Sequence, residues 1–553
     1  MIRLSEIKLT LAEAEHPDPT LLAAACRMLA LPREQIARVD LFKRSFDARK
    51  ADLVAVYIVD VTLTDPAQEP ALLAALAGYP HITATPDMVW HPPVAAPASL
   101  PLRPVVVGFG PCGIFAALVL AQMGFMPIVL ERGTAVRQRT KDTWDLWRKG
   151  VLDPESNVQF GEGGAGTFSD GKLWSQIKDP RHLGRKVMTE FVKAGAPPEI
   201  LSVAHPHIGT FKLVKVVEAM REQIIALGGE IRFQQRLTDV RIEDGPEGRQ
   251  VRGVTVLDQA TGQTTELRAD HVVLALGHSA RDTFEMLHER GVFMEAKPFS
   301  IGLRIEHPQG VIDRARWGRH AGHPLLGAAD YKLVHHASNG RSVYSFCMCP
   351  GGTVVAATSE PGRVVTNGMS QYSRNERNAN AGIVVGIEPG DYPGGPLAGL
   401  ALQRQLESNA YVLGGGNYQA PAQLLGDFIA GRASTQLGDV EPSYKPGVTL
   451  GDLAEALPDY AIAALREALS VFGRKIEGFD MPGAVLTGVE TRTSSPLRIT
   501  RGDNYQSLNV RGLFPAGEGA SYAGGILSAG VDGIRVGEAV AQVAIRIPTP
   551  SSQ

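Results

Sequence analysis

The sequence predicts an α/β protein built around a Rossmann-type parallel sheet, with an inserted α+β region and a small N-terminal α+β unit. Three observations predict this class. A strand, a glycine turn, a helix and a second strand follow one another after residue 104. Further along, three antiparallel strands lead back to a central strand, and a second glycine-rich turn lies near residue 520. With 553 residues, the chain exceeds what one hydrophobic core holds, so several domains are expected.

Composition and charge argue against several classes of function. The formal net charge is -3, so we expect no general attraction to nucleic acid. No stretch of about 18 or more apolar residues is present, so no membrane span is expected. The acidic residues of the N-terminal segment are unlike a signal peptide. Four cysteines are too few for a disulfide scaffold, and together these features indicate a cytoplasmic protein.

Residues 1–92 are predicted to form the N-terminal α+β domain, which could dock a protein partner. Alternation of apolar and polar residues predicts a strand at Ile2–Leu11, and apolar spacing predicts a helix at Leu21–Leu31. The β-branched run Leu53–Leu63 predicts another strand. The prolines of residues 93–104 indicate a linker between domains.

The chain after the linker is predicted to divide into a nucleotide-binding domain and an insertion. The predicted segments are 105–281 (first part of the nucleotide-binding domain), 282–483 (inserted substrate or cap domain) and 484–548 (C-terminal return to the first part). Within the first part, turn signals separate the strands of a β-meander that crosses over to a buried strand. These strands are predicted at Thr238–Glu243, Val251–Leu257, Thr264–Ala269 and Val272–Leu276.

The clearest motif is the glycine turn Gly108-Phe-Gly-Pro-Cys-Gly113, which follows an apolar strand and opens a helix. Gly108 permits the tight turn, Gly110 lets the backbone approach a diphosphate, and Gly113 lets the helix pack close to the sheet. The diphosphate would bind at the positive end of the helix dipole, and Glu131 would accept hydrogen bonds from a ribose. The alternative is a packing motif without a nucleotide. The residues of this unit predicted to contact the ligand are Gly108, Gly110, Pro111, Cys112, Gly113, Glu131 and Arg132.

This unit resembles the FAD-binding fingerprint of the glutathione-reductase-type flavoprotein superfamily, which implies FAD as the cofactor. In that superfamily a C-terminal segment closes the FAD site, and Gly512–Ile526 is similar to it, with Glu518 where an Asp is usual. A helix is predicted to follow at Leu527–Ala541. The strand ending in Ala-x-Gly277 resembles a further element near FAD. The alternatives are an ordinary loop before a helix and a plain buried strand. The resemblance implies FAD contacts from Gly277, Gly517, Glu518, Gly525 and Ile526.

The segment Gly161–Gly166 repeats the G-x-G-x-x-G spacing, but no parallel strand is predicted before it. We therefore expect no second dinucleotide site, and NAD(P)H would act only as a transient reductant. The segment is similar to one that lies along the isoalloxazine ring in succinate-dehydrogenase-like flavoproteins; the alternative is a surface loop. This resemblance implies flavin contacts from Gly163, Gly164, Thr167 and Ser169.

Runs along nearly the whole chain resemble a bacterial family of FAD-dependent dehydrogenases, also called NAD/FAD-utilising dehydrogenases. This resemblance implies FAD binding more firmly than it implies any substrate. The runs lie at residues 41–50, 157–173, 205–210, 277–287, 346–360 and 489–499.

A few side chains outside the glycine turns are candidates for catalysis. In a regular strand Cys347 and Cys349 would point to the same face, where a thiolate could attack a substrate or exchange electrons with a flavin; the alternative is two inert packed thiols. His207, beside His205, could transfer protons, or could cap or pack a loop. Arg492 could bind an acidic substrate or stabilise an anionic reduced flavin, or be an ion-paired surface residue. No metal-binding spacing of His, Cys or acidic residues is present, so no metal is expected.

Together these features predict an FAD-dependent oxidoreductase acting on a small-molecule substrate that enters between the inserted region and the flavin. One alternative is a tRNA-modifying flavoprotein, against which the acidic charge balance stands. The other is a non-enzymatic flavin-binding assembly or regulatory module.

Overall fold

The computed structural model of the chain describes residues 1–48 and 52–545. Part of the run at 41–50 and the last residues of the predicted segment 484–548 lie outside the described residues.

An antiparallel sheet covered by helices forms the N-terminal unit. Its elements are β1 (Ile2–Thr10), α1 (Leu11–Glu15), α2 (Asp18–Leu29), β2 (Ile36–Asp47), β3 (Val54–Leu63), α3 (Glu69–Ala75) and β4 (Ile82–Ala84). The strands lie in the order β2-β3-β1-β4. Alternate residues of β3 are buried with apolar residues of α2, as the sequence pattern predicts.

The next part of the chain contributes most of a parallel sheet and a separate antiparallel meander. Its elements are β5 (Val105–Val107), α4 (Pro111–Gln122), β6 (Ile128–Leu130), α5 (Val136–Lys149), α6 (Leu183–Lys193), α7 (Thr210–Ala226), β7 (Glu230–Arg232), β8 (Gln235–Gly245), β9 (Gly248–Asp258), β10 (Thr264–Arg268) and β11 (Val272–Leu274). The residues of β5, β6 and β11 are all buried, because the parallel sheet is covered on both faces. The meander has the order β10-β9-β8.

A large, mainly antiparallel sheet follows. The elements of this region are α8 (Arg281–Glu289), β12 (Met294–Ala296), β13 (Phe299–Pro308), α9 (Gln309–Trp317), β14 (Val334–His336), β15 (Ser342–Ala356), β16 (Thr366–Ser370), β17 (Asn378–Ile387), α10 (Ala398–Leu413), β18 (Ala420–Leu424), α11 (Leu425–Ala430), β19 (Val448–Leu450), α12 (Asp459–Phe472) and β20 (Val485–Glu490). The order is β14-β15-β17-β13-β20-β18-β19, and β16 pairs with β15. Its central strands and α12 share one hydrophobic core.

The last elements are β21 (Leu497–Ile499), β22 (Leu513–Pro515) and α13 (Ile526–Ala544). Strand β22 pairs in parallel with β11, which gives the sheet order β22-β11-β5-β6-β7. Helix α13 packs on α4, and a Cβ at Gly533 would lie 2.2 Å from the carbonyl oxygen of Cys112. Glycine is therefore required for this close approach. The predicted mixed α/β fold, with parallel and antiparallel sheets, is confirmed.

Across residues 1–48 and 52–545, every helix is too short or too polar to cross a membrane.

Candidate functional site

A cavity of about 770 Å³ lies at the carboxyl edge of the parallel sheet. Residues directly after β5, β6, β11 and β22 line it, and the large antiparallel sheet contributes the opposite end. The carboxyl ends of parallel strands are where ligands bind in α/β folds. The volume lies in the usual range of small-molecule and cofactor sites. This cavity is therefore the candidate functional site.

The first glycine turn forms one wall of the cavity. Gly108 has φ +98°, and a Cβ there would lie 2.1 Å from the carbonyl oxygen of Ala275. A Cβ at Gly113 would lie 1.9 Å from the carbonyl oxygen of Gly108. Both positions thus admit only glycine, for the reasons that the motif predicts. Helix α4 begins at Pro111, and its first N–H groups have no partners within the helix.

Glu131 lines the cavity, but its carboxylate is used by backbone groups. Oε2 accepts a hydrogen bond from Phe109 N (2.9 Å), and Oε1 accepts from Gly133 N (2.8 Å) and Gly161 N (3.1 Å). Glu131 therefore ties the first glycine turn to the loop at 161–166. A ribose would therefore share this carboxylate with three backbone N–H groups. The sequence motif does not predict these backbone hydrogen bonds.

Arg132 also lines the cavity, and its guanidinium is engaged by two carboxylates. It pairs with Glu155 at 2.9 Å and with Asp282 at 2.8 Å. The same group lies over the ring of Phe160, 4.1 Å from its centroid. Arg132 is therefore held in the cavity wall by these two ion pairs, and its charge is already neutralised by carboxylates.

The C-terminal glycine turn touches the first one. A Cβ at Gly517 would lie 2.9 Å from the Cβ of Cys112, and Gly517 N donates to Asp532 Oδ2 (2.8 Å) on α13. Gly525 precedes α13, whose first residue, Ile526, lines the cavity. Two turns that are distant in sequence, each at a helix N-terminus, therefore meet at one cavity.

The loop at Gly161–Gly166 lies between these two turns. A Cβ at Gly164 would lie 2.8 Å from the Cα of Gly110, and one at Gly166 would lie 2.8 Å from Ile526 Cγ1. The loop repeats the glycine spacing of the first turn, but it packs against that turn and leads only into the short 3-10 helix Ala165–Phe168, not into an α-helix.

Two of the residues predicted to contact flavin lie outside the cavity lining. Gly163 and Thr167 are behind the cavity lining, where a Cβ at Gly163 would lie 2.1 Å from Thr167 Oγ1. The expected flavin contacts of these two residues are therefore not supported by their positions. Ser169 lines the cavity, although its hydroxyl donates to the carbonyl oxygen of Gly166 (2.6 Å) and accepts from Gly171 N (3.0 Å).

Most of the predicted site residues lie in the cavity wall. Those that line it are Gly108, Gly110, Pro111, Cys112, Glu131, Arg132, Gly164, Ser169, Gly277, Cys347, Arg492, Gly517, Glu518, Gly525 and Ile526. Those outside the lining are Gly113, Gly163, Thr167, His207 and Cys349.

Glu518 and His278 face each other across the turn that follows β11. His278 Nε2 lies 3.9 Å from Glu518 Oε1. Burial raises the pKa of Glu518 to about 7, aided by the charge of Cys347 and opposed by Lys297. Burial and the cationic Arg492 lower the pKa of His278 to about 3. The sequence interpretation missed His278, although its position directly after a parallel strand and Gly277 is a signal.

Arg492 is buried and fixed by a carboxylate. Its Nε and Nη2 donate to Glu407 (3.1 and 3.0 Å), while Nη1 donates to Ser279 Oγ (3.1 Å) and Ser359 Oγ (2.7 Å). Arg281 pairs with the same carboxylate at 2.7 Å. Burial raises the pKa of Glu407, but the two arginines hold it well below its usual range. The alternative that Arg492 is a surface residue is thus wrong. No motif in the sequence predicts that Glu407 is its partner.

The two cysteines of β15 do not share a face. The strand carries one extra residue between the pairs Phe346–Gly382 and Cys349–Asn380, and Cys347 has φ +44°. This bulge breaks the alternation of a regular strand. Cys347 consequently lines the cavity, whereas Cys349 is fully buried behind it.

His207 lies outside the cavity wall. Its Nε2 is 2.8 Å from the carbonyl oxygen of Tyr372, and its ring stacks on that side chain. Burial and the nearby Arg374 lower its pKa to about 4. This placement favours the alternative in which His207 packs a loop. His205 does line the cavity, where it stacks on Trp174.

Within the described ranges, no group of three or more His, Cys, Asp or Glu residues is arranged to hold a metal ion.

Comparison with solved structures finds weak likenesses. Quinol fumarate reductase FrdA of E. coli is 14% identical, with a TM-score of 0.37, and the match covers 81% of this chain and 71% of that one. The 3-ketosteroid-Δ4-(5α)-dehydrogenase of Rhodococcus jostii RHA1 is 13% identical, with a TM-score of 0.34, over 83% and 100% of the two chains. THI4 of Thermovibrio ammonificans is 16% identical, with a TM-score of 0.25, over 35% of this chain and only 64% of that one. At such scores these likenesses bear on neither substrate nor reaction.

Sequence comparison is more specific. The family described as "FAD-dependent protein, C-terminal domain-like" matches residues 298–493, and a domain of unknown function, DUF8436, matches residues 1–62. A protein of Clostridium beijerinckii is 46% identical over 544 residues, which is 97% of this chain and 98% of that protein. The chain therefore belongs to the family of this Clostridium beijerinckii protein.

Proposed function

We propose that the chain binds FAD in the cavity at the carboxyl edge of the parallel sheet and acts as an FAD-dependent oxidoreductase. The observation that carries this proposal is the meeting of the turns at 108–113 and 517–525, each at a helix N-terminus, at one cavity. Backbone N–H groups at helix N-termini bind anionic phosphate groups. The description of the C-terminal domain family supports FAD as the occupant.

The residues present fit an elongated dinucleotide. Added Cβ atoms at Gly277, Gly524 and Gly525 would meet nothing within 4 Å, so these glycines leave room along the wall. We propose that the diphosphate binds at the turn 108–113, the adenosine lies toward Glu131, and the flavin lies toward Gly277, Glu518 and Gly525. When bound, FAD would supply two-electron redox chemistry.

The substrate would enter at the end of the cavity formed by the large antiparallel sheet. Side chains there include cationic, aromatic and thiol groups, which can position a small polar molecule beside a flavin. They are Lys172, Trp174, His205, Arg316, Lys332 and Cys347. We propose accordingly that 105–281 and 484–548 form the FAD-binding domain and that 282–483 form the cap, with 1–92 as a separate domain joined through 93–104.

No specific observation favours the alternatives. A tRNA-modifying flavoprotein would need an electrostatic surface for RNA, and the net charge is -3. A non-enzymatic flavin module would not need a thiol and several cations beside the flavin end of the cavity.

The experiment is a spectrum of the purified full-length chain. We expect the two absorption bands of oxidised flavin, and mass spectrometry of the ligand released by acid should identify FAD. Anaerobic mixing with NADPH, NADH and a panel of organic donors should bleach the bands with at least one donor. Absence of the bands after reconstitution with FAD would contradict binding. Bound FAD that no donor reduces would contradict the oxidoreductase function.

A further inference from the structure

Cys347 and Cys349 lie close together at the cavity end that faces the large antiparallel sheet. All four cysteines of the chain are free thiols. Cys347 lines the cavity, and Cys349 Sγ donates a weak hydrogen bond to the carbonyl oxygen of Cys347 at 3.4 Å. Cys349 is therefore turned back toward residue 347. The two thiols also lie near enough for a hydrogen bond between their side chains, and such proximity is the first requirement for a disulfide.

Two cations flank this pair. Lys172 donates from Nζ to the carbonyl oxygen of Met348, which lies between the two cysteines. Arg304 is fully buried, and its Nη1 donates to the carbonyl oxygen of Cys347 at 3.1 Å. Its Nη2 has no hydrogen-bond partner in the part of the chain that the structure describes. Arg304 also forms an ion pair with Glu490, its Nε donating at 2.9 Å, and this carboxylate opposes ionisation of Cys347. Lys172 and Arg304 outweigh that opposition and favour a thiolate at Cys347.

The two sulfurs differ in their tendency to ionise. A hydrogen bond from Cys349, together with the charges of Lys172 and Arg304, lowers the pKa of Cys347 to about 6 against the effect of burial. The neighbouring Cys347 and burial raise the pKa of Cys349 well above its ordinary value. The exposed member of the pair is thus the nucleophile, and the buried member keeps its proton.

We propose that Cys347 and Cys349 form a thiol–disulfide exchange site for a small organic disulfide that enters the cavity. The Cys347 thiolate forms a bond to one sulfur of the substrate and expels the other as a thiolate. The Cys349 thiol then attacks the Cys347 sulfur, its proton passes to the departing thiolate, and a Cys347–Cys349 disulfide forms. The substrate gains two electrons and leaves as one thiol and one thiolate, which takes a proton from solvent, while the cysteine pair loses two electrons and one proton.

The exchange itself is independent of the flavin. Its place in the same cavity makes a bound flavin the natural electron donor for reducing the Cys347–Cys349 disulfide again. That coupling alone rests on the proposed function. The thiol chemistry can therefore be measured separately from flavin binding.

The test uses the full-length chain as purified, pre-reduced and freed of reductant, with glutathione disulfide as the probe. We expect two glutathione molecules released per chain, two thiols lost, and a peptide containing Cys347 and Cys349 that is lighter by two hydrogen atoms. Cys349→Ser should retain one glutathione on Cys347, because its resolving thiol is missing. Cys347→Ser should release none.

Cys26→Ser is the matched control, since Cys26 lies in the N-terminal unit, and it should behave as the wild type does. In that variant the rate of Cys347 alkylation by iodoacetamide should rise at a lower pH than the rate for an ordinary thiol does. Failure of the wild-type chain to form the lighter peptide overturns the proposal, even if a variant misfolds. Glutathione attached only to Cys26 or Cys112 also overturns it. Exchange in a chain that binds no FAD would contradict the proposed function but uphold this inference.

Discussion

Backbone atoms form one end of the cavity, and side chains form the other. At the end proposed for the nucleotide, called here the nucleotide end, the wall is largely backbone, in the turns 108–113 and 517–525. Gly108 and Gly113 cannot be replaced there, because a Cβ would clash with a carbonyl oxygen. At the opposite end the wall is made of side chains such as Cys347 and Arg492, held by carboxylates and strands from distant parts of the chain. A site formed by backbone is specified by residues that are close together in the sequence. A site formed by side chains depends on which strands become neighbours in the fold.

The largest expected effect is at the side-chain end. Glu407→Ala leaves Arg281 and Arg492 buried without their shared carboxylate, which should lower the free energy of unfolding by about 3–5 kcal/mol. Denaturant unfolding followed by circular dichroism measures the loss. Glu441→Ala, which breaks the exposed pair with Arg377, should cost about 0–1 kcal/mol. Equal losses in both variants would show that the buried cluster does not hold this end together.

The next effect is at the backbone end and should change binding rather than folding. Gly110 has φ -82°, which valine can adopt, and its Cβ would lie 3.4 Å from Gly164 Cα. The methyl groups of Gly110→Val would fill the space for the diphosphate and weaken FAD binding by about 1–3 kcal/mol, or roughly 10- to 100-fold. Titration of the apoprotein with FAD, followed by flavin fluorescence, measures this change. The exposed Gly390→Val should bind FAD normally, and wild-type affinity in Gly110→Val would place the diphosphate elsewhere.

A third effect is a pH dependence of the free energy of unfolding, which arises at Glu518 between the two ends of the cavity. Burial raises the pKa of Glu518 from 4.5 to about 7, so the folded state binds this proton more tightly than the unfolded state does. The stability contributed by protonated Glu518 is complete below pH 4.5 and is lost as pH rises to about 7. Glu518→Gln removes this dependence.

The difference in unfolding free energy between wild type and Glu518→Gln should therefore change by up to about 1.4 kcal/mol per pH unit in this window. Denaturant unfolding of both proteins at a series of pH values measures it. Parallel pH profiles would show that Glu518 is not buried in its neutral form.

The smallest effect tests one contact of the side-chain end. Ser279→Ala removes the hydroxyl that accepts from Arg492 Nη1 and donates to Gln159 Oε1 (3.0 Å), at a cost of about 0.5–1.5 kcal/mol. Thermal unfolding measures the change. The exposed Ser470→Ala on α12 should be close to neutral. A neutral Ser279→Ala would mean that Glu407 and Ser359 are sufficient to position Arg492.

The elements of the nucleotide end could be predicted from the sequence because each has a local signal. Gly113 is required by its contact with the carbonyl oxygen of Gly108, only five residues earlier. Glu131 directly follows the next strand, β6, and binds the backbone of the same turn. Helix α13 (Ile526–Ala544) accordingly begins and ends within a few residues of the predicted Leu527–Ala541. What the pattern could not supply is the second use of Glu131, since its backbone partner at Gly161 comes from a separate loop.

The side-chain end could be predicted only as a set of candidate residues. A regular strand would place Cys347 and Cys349 together, but a single bulge sends them to different environments, and a bulge leaves no reliable mark in one sequence. Glu407 lies on a helix far from both of its arginines and carries no motif. His207 looked reactive because histidine titrates near neutral pH, and only the fold reveals that burial depresses its pKa.

The edge strand β22 and the helix α13 belong to the same layer as β5 and α4, yet they come after the large antiparallel sheet in the chain. During synthesis on the ribosome, β11 has an unpaired edge and α4 an uncovered face until residues 513–544 emerge. The nascent chain must therefore complete its middle region before the nucleotide end can close. Such long-range pairing slows folding, so the site for a ligand at this end is completed only after the last helix has docked.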